Sequence, residues 1–149
     1  MYKQTLLENP IAIFIILLIV SVVNLFLPVH FISILLAGVT YKIFSKSLET
    51  EQYLSVGYMI IAFSVIELAQ GLKLFTLTLL AFFIYLVVAP RLKNILASIK
   101  LSASVTIFIF YIGILEFFHI AGEIDFSLFA ILLLNCIIDI VIILALLWG

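Results

Sequence analysis

Glu116 and His119 stand three residues apart, and Asn135 and Asp139 four apart, inside runs of otherwise apolar sequence. At those spacings each pair shares one face of a helix. Carboxylates and imidazoles held in hydrocarbon are the parts of a proton or cation path. The same groups also hydrogen-bond one helix to the next. Glu67 closes another apolar run, and Asn24 lies late in the first. Only Asp139 lies deep, with no lysine or arginine at its depth. It is expected to be protonated, or hydrogen-bonded to Asn135 or a neighbouring helix. Hydrogen bonding within the bundle is the preferred reading of Glu116, His119, Asn135 and Asp139 as buried polar residues. A proton path is the competing one.

Other chemistries find little to build on. Ser21, Ser33 and Ser64 sit in apolar runs without a nearby His and carboxylate pattern, so no nucleophile constellation is indicated. There is no phosphate-cradling glycine loop and no dinucleotide fingerprint. His30 and His119 are too few for a haem or a metal cage, and the single Cys136 lies in an apolar run. It reads as a small apolar filler. No catalytic residue, cofactor or metal is expected.

The elements that must hold these residues follow from composition. Of 149 residues, 67% are hydrophobic and 10% charged, with a mean hydropathy of +1.48. That composition cannot supply a water-facing surface, so the chain is expected to be an integral membrane protein. A net charge of −1 leaves no footprint for nucleic acid. Six continuous apolar segments can be drawn: 11–27, 31–44, 53–68, 72–89, about 101–121, and 126–148. Pro10 suits a first helical position, and Pro28 and Pro90 are read as stops. The runs do not alternate, so a barrel is not indicated. The second and third fall short of the ~20 residues a full span needs. The expectation is an all-α, polytopic bundle of six transmembrane helices, one domain over residues 1–149.

Charge then orients the bundle. Lys3, Lys42, Lys46, Arg91, Lys93 and Lys100 fall on one side of such a model, and only Lys73 on the other, with His30, Glu123 and Asp125. Six cations against one put that side, and both termini, in the cytoplasm. Residues 90–100 read either as topology charges alone or as a short interfacial helix with its cations near anionic headgroups. Tyr53, Tyr58, Tyr85 and Trp148 lie near the expected interfaces. Ser33, Ala37, Gly38, Ser55, Gly57, Ala62, Ser64 and Gly113 are small residues of the kind that allow close helix approach.

The turn Glu67-Leu68-Ala69-Gln70-Gly71-Leu72-Lys73 joins two apolar helices. An acid ends the first, a glycine breaks the path, and a leucine-rich run, Leu74 to Leu79, continues. This hairpin resembles that of the rod shape-determining membrane protein family MreD. The last segment is similar too, with Asn135 amid Leu132, Leu133 and Leu134. Glu67 stands where that family usually has aspartate, and Phe63 and Phe75 stand where it often has glycine. The proline common after the asparagine is absent.

The resemblance implies a six-span fold similar to the substrate-binding (S) component of energy-coupling-factor (ECF) transporters. It implies a non-enzymatic scaffold of the elongasome, in cell shape and peptidoglycan synthesis at the bacterial inner membrane. The implied partners are MreC, the actin-like MreB, and the peptidoglycan polymerase and transpeptidase pair. The partner surface is expected at the central hairpin and the short second and third spans: Ser33, Ala37, Gly57, Glu67 and Gly71. Two other functions compete. One is a small-molecule-binding transport subunit, which needs a polar outward pocket. The other is a proton-coupled carrier using Asp139.

Overall fold

The computed structural model describes residues 8–26, 36–122 and 125–148. Among these the architecture is all-α, with six helices in order: α1 Pro10–Phe26, α2 Ala37–Glu49, α3 Tyr53–Gln70, α4 Thr76–Ile95, α5 Ile99–Ile120 and α6 Phe126–Trp148. Helices α3 to α6 are each long and apolar enough to cross a membrane; α1 is a shorter apolar helix of 17 residues, and α2 has 13. The chain is therefore a helical membrane bundle.

Local chemistry explains most boundaries. Asn9 Oδ1 accepts from the Ile11 amide at 3.0 Å, and Pro10 follows at the first helical position. An asparagine cap before a proline starts a helix well. Gly71 ends α3 at φ 68°, its amide donating to the Leu68 carbonyl at 3.4 Å while Leu72 donates to Glu67 at 2.9 Å. Those two bonds make a Schellman close, which satisfies carbonyls the helix would otherwise orphan. Ser98 caps α5, accepting from the Leu101 amide.

Pro90 does not stop the fourth helix. The path runs on to Ile95, and the five residues before Ala89, Ile84–Val88, form a π turn. Proline in a helix interior lacks an amide and crowds the carbonyl four residues back. A wider turn just upstream relieves that crowding. The start also differs from expectation: α4 begins at Thr76, not Leu72.

Helix α2 is the centre of the bundle, packed against α3, α5 and α6 and touching α4. Nine of its thirteen residues are buried, including Thr40, Ser45 and Ser47. Enclosed by other helices, it has no need of a lipid-facing side. Its aromatics organise the core: Tyr41 stacks on Phe110 at 4.9 Å, and Phe44 meets Phe63 at 5.8 Å and Phe82 at 5.0 Å, edge-on. By contrast α1 packs on α3 through one stripe, Ile13, Leu17, Val20 and Asn24, and exposes Ile11, Ile15, Leu18 and Val22. The second expected span thus moves: its residues 31–35 lie outside the described residues, and its helix continues past Phe44 through the polar flank to Glu49.

Among the described residues, the cations that share one side in the sequence gather toward one end of the bundle, and Lys3 lies outside the described residues. Lys46 pairs with Glu8 at 3.3 Å, and Lys93 pairs with Glu49. Gln52 donates to the Glu8 carbonyl at 3.0 Å, and Lys100 lies 4.9 Å over the Trp148 ring. The start of α1, the end of α2, the end of α4, the start of α5 and the end of α6 therefore meet there.

Candidate functional site

Among the described residues two acids, Glu67 and Asp139, are wholly buried, each at 0% exposure. Each is spent on the first turn of another helix. Asp139 Oδ2 accepts from the Gly38 amide at 2.7 Å and from the Tyr111 hydroxyl at 2.5 Å. Glu67 accepts from the Phe75 amide through Oε2 at 2.7 Å and from the Leu77 amide through Oε1 at 2.6 Å. A carboxylate is well placed at a helix start, where unpaired amides and the positive end of the dipole coincide. In hydrocarbon no water can take its place.

The two arrangements share a backbone device. The residue just before each capped helix is left-handed: Leu36 at φ 64° before α2, and Phe75 at φ 68° before α4. That conformation turns the entering chain sharply and aims the first amides at the acid. It is strained for a side chain larger than glycine. The Phe75 ring is half exposed and has little packing to lose. Phe75→Gly is therefore expected to raise stability by about 1 kcal/mol, read as a higher unfolding midpoint in detergent.

Gly38 completes the Asp139 cluster by lacking a side chain. A Cβ there would lie 2.7 Å from the Ile107 side chain and 2.8 Å from Asp139 Oδ2. Asn135, one turn before Asp139, is also fully buried. Of the donors expected for Asp139, α2 and α5 supply those seen. Cys136 is buried beside them among apolar neighbours.

Glu116 and His119 do not belong to this cluster. Both are exposed, contrary to the expectation that they are buried. The inward face of α5 carries Ile107, Phe110, Tyr111, Ile114 and Phe118. Glu116, two residues beyond Ile114, is turned about 200° away from it, and His119 follows on the outer side.

The expected partner surface is also revised. Ala37 and Glu67 are fully buried within the chain and present nothing to another protein. Ser33 and His30 lie outside the described residues. Gly71 is exposed at its turn, and Gly57 is half-buried with open space where a Cβ would stand. An apolar groove of about 170 Å³ runs between α5 and α6, with Phe108, Ile112, Phe129 and Leu133 on its walls and Tyr111 and Cys136 at its floor. Among the described residues, no three His, Cys, Asp or Glu side chains gather closely enough to hold a metal.

Tyr111 is the participant that sequence reasoning missed, and Gly38, read only as a small residue for close helix approach, was not seen as a donor to Asp139. A phenol in mid-span of α5, amid Ile and Phe, was the available signal for the first. Compared with known proteins, the chain matches no family, no curated protein and no solved structure.

Proposed function

We propose that the chain is a non-enzymatic scaffold in the bacterial cytoplasmic membrane, similar to MreD. It would hold the single-span partner MreC within the cell-elongation machinery. The observation that carries this reading is the turn from Glu67 to Leu77. There an acid closes α3, Gly71 makes the turn, and Phe75 keeps φ 68°. Phe75 stands where the resembled family often has glycine, and a left-handed backbone is what glycine serves. The left-handed backbone at Phe75 is one that the glycine often found there in the resembled family would adopt without strain, which supports the resemblance. The spending of both buried acids on helix starts also favours a structural role for them.

The competing transport subunit needs a polar pocket. The groove between α5 and α6 offers walls of Phe, Ile and Leu, which suit lipid or an apolar helix better than a vitamin-like solute.

The partner surface we favour is the outer stripe of α3. Leu54, Ile61 and Leu68 are exposed on it, and Gly57 lies in the same row. Between apolar helices in lipid, association rests on close packing, and a glycine lets two backbones approach. A Cβ added at Gly57 meets no atom of its own fold within 4 Å, so Gly57→Leu is the variant to test. It is expected to leave membrane abundance and the unfolding midpoint unchanged while cutting co-purification of MreC at least tenfold. Undiminished recovery of MreC with this variant would reject the surface. Depletion of the protein should round rod-shaped cells. Isolation with an ATPase module and a bound vitamin-like ligand, without MreC, would establish the transport reading instead.

A further inference from the structure

Among the described residues, four helices on the rim of the bundle carry exposed apolar rows that are short for a membrane. They run from Ile11 to Phe26 on α1, from Tyr53 to Leu68 on α3, from Leu74 to Leu86 on α4 and from Leu101 to Ile112 on α5. At 1.5 Å per residue, none is longer than about 23 Å. Exposed charges mark where three of the rows stop. Glu51 and Lys73 bracket α3, Lys73 and Arg91 bracket α4, and Lys100 and Glu116 bracket α5. Away from the lysine-rich end, these marks agree in level. A Cβ at Gly113 would lie 2.7 Å from the Leu80 side chain. Glu116, one turn further along α5, therefore stands beside the first turn of α4, close to Lys73.

The hydrocarbon core of a typical bilayer is about 30 Å thick. With Lys100 at one edge of such a core, Glu116 lies about 24 Å away along α5, about 6 Å short of the other edge. An exposed carboxylate there would face acyl chains, which is costly. Tilting α5 makes the shortfall larger, because tilt only reduces a helix's reach across the membrane. Helix α6, with 23 residues, can tilt to fit a thinner slab. Helices α1 and α3, with 17 and 18 residues, cannot stretch to fit a thicker one. A thinner slab suits all five helices at once, and it puts Glu116 and His119 among headgroups.

We propose that the bundle thins the membrane around it, and that its rim takes phospholipids with short acyl chains. Chains that fit a slab of about 23 Å cover the four rows without compression. Longer chains must tilt or splay beside them, and that strain is the basis of selection. The property belongs to the bundle alone and holds whether or not a partner covers α3.

The test uses the purified full chain in vesicles of dimyristoleoyl, dioleoyl or dierucoyl phosphatidylcholine, a series with one headgroup and increasing chain length. Cys136 is the single cysteine, so Glu116→Cys and Ile112→Cys are each made with Cys136→Ala. Ile112 and Glu116 are both exposed and four residues apart on one face of α5. A water-soluble maleimide, present on both sides of the vesicles, should label position 116 in dioleoyl vesicles within threefold of its rate in dimyristoleoyl ones. Position 112 should react at least tenfold more slowly. Lipid preference is read with Phe108→Trp in a Trp148→Phe background, through quenching by brominated dioleoyl phosphatidylcholine. The dimyristoleoyl lipid should displace the quencher at least threefold better than the dierucoyl one. Glu116→Leu with His119→Leu, which carries the apolar row of α5 on to Ile120, should at least halve that ratio. Labelling at 116 as slow as at 112 in dioleoyl vesicles places Glu116 in hydrocarbon and overturns the thinning. Equal displacement by the short and long lipids overturns the selection, and so does a ratio that the two leucines leave unchanged.

Discussion

Asp139→Leu is expected to lower stability by about 4 kcal/mol and to deplete the protein from membranes. The carboxylate holds the Gly38 amide and the Tyr111 hydroxyl at once, and leucine leaves both buried donors without a partner. Each unmet donor costs about 1–3 kcal/mol. Asp139→Asn keeps an acceptor oxygen and is expected to cost only about 1–2 kcal/mol. The pair of variants separates the two readings of this residue. A structural cap tolerates asparagine, whereas a proton relay does not, because asparagine cannot titrate. Folded, abundant Asp139→Asn protein with no function would overturn the structural reading. Abundance by immunoblot and an unfolding midpoint in detergent are the measurements.

Glu67→Ala is expected to cost about 3–4 kcal/mol, since it removes both acceptors from the start of α4. Glu67→Gln should cost about half as much. Its single oxygen can serve one of the Phe75 and Leu77 amides, and its own amide group then faces a donor. The loss should be local before it is global. Hydrogen exchange at residues 75–78 is expected to rise in Glu67→Gln while α5 and α6 stay protected. Unchanged protection at 75–78 would mean that the amides find other partners.

The long-range order of this chain was legible where apolar length decides. The last helix runs Phe126–Trp148, as its uninterrupted run predicts, and Lys46, Lys93 and Lys100 of the one-sided lysines do collect at one end. What was not legible depends on neighbours. Pro90 reads as a stop because sequence shows its missing amide but not the π turn that accommodates it. Ala37 reads as a docking residue because small size shows nothing about which side is enclosed. Glu116 and His119 share a face as their spacing requires, but spacing does not say which way that face points. At the candidate site, Asp139 and Glu67 stand out as acids among apolar residues. Their partners do not, because a backbone amide has no letter in the sequence. The strained Leu36 and Phe75 are hidden for the same reason: nothing in leucine or phenylalanine announces a left-handed backbone.

The bond between the Gly38 amide and Asp139 joins positions 101 residues apart. During synthesis α2 is made long before α6 exists. At ~5–20 residues per second, that interval is ~5–20 seconds. Throughout it, the first turn of the most enclosed helix lacks its acceptor, in a solvent that supplies none. The nascent bundle must then hold α2 near water, or lend it a temporary partner, until the last helix arrives. Assembly closes from the centre only at the end, and α6 acts as the bolt. A chain halted after α5 would carry an open, polar helix start in mid-bundle, a feature by which membrane quality control could tell the unfinished protein from the finished one.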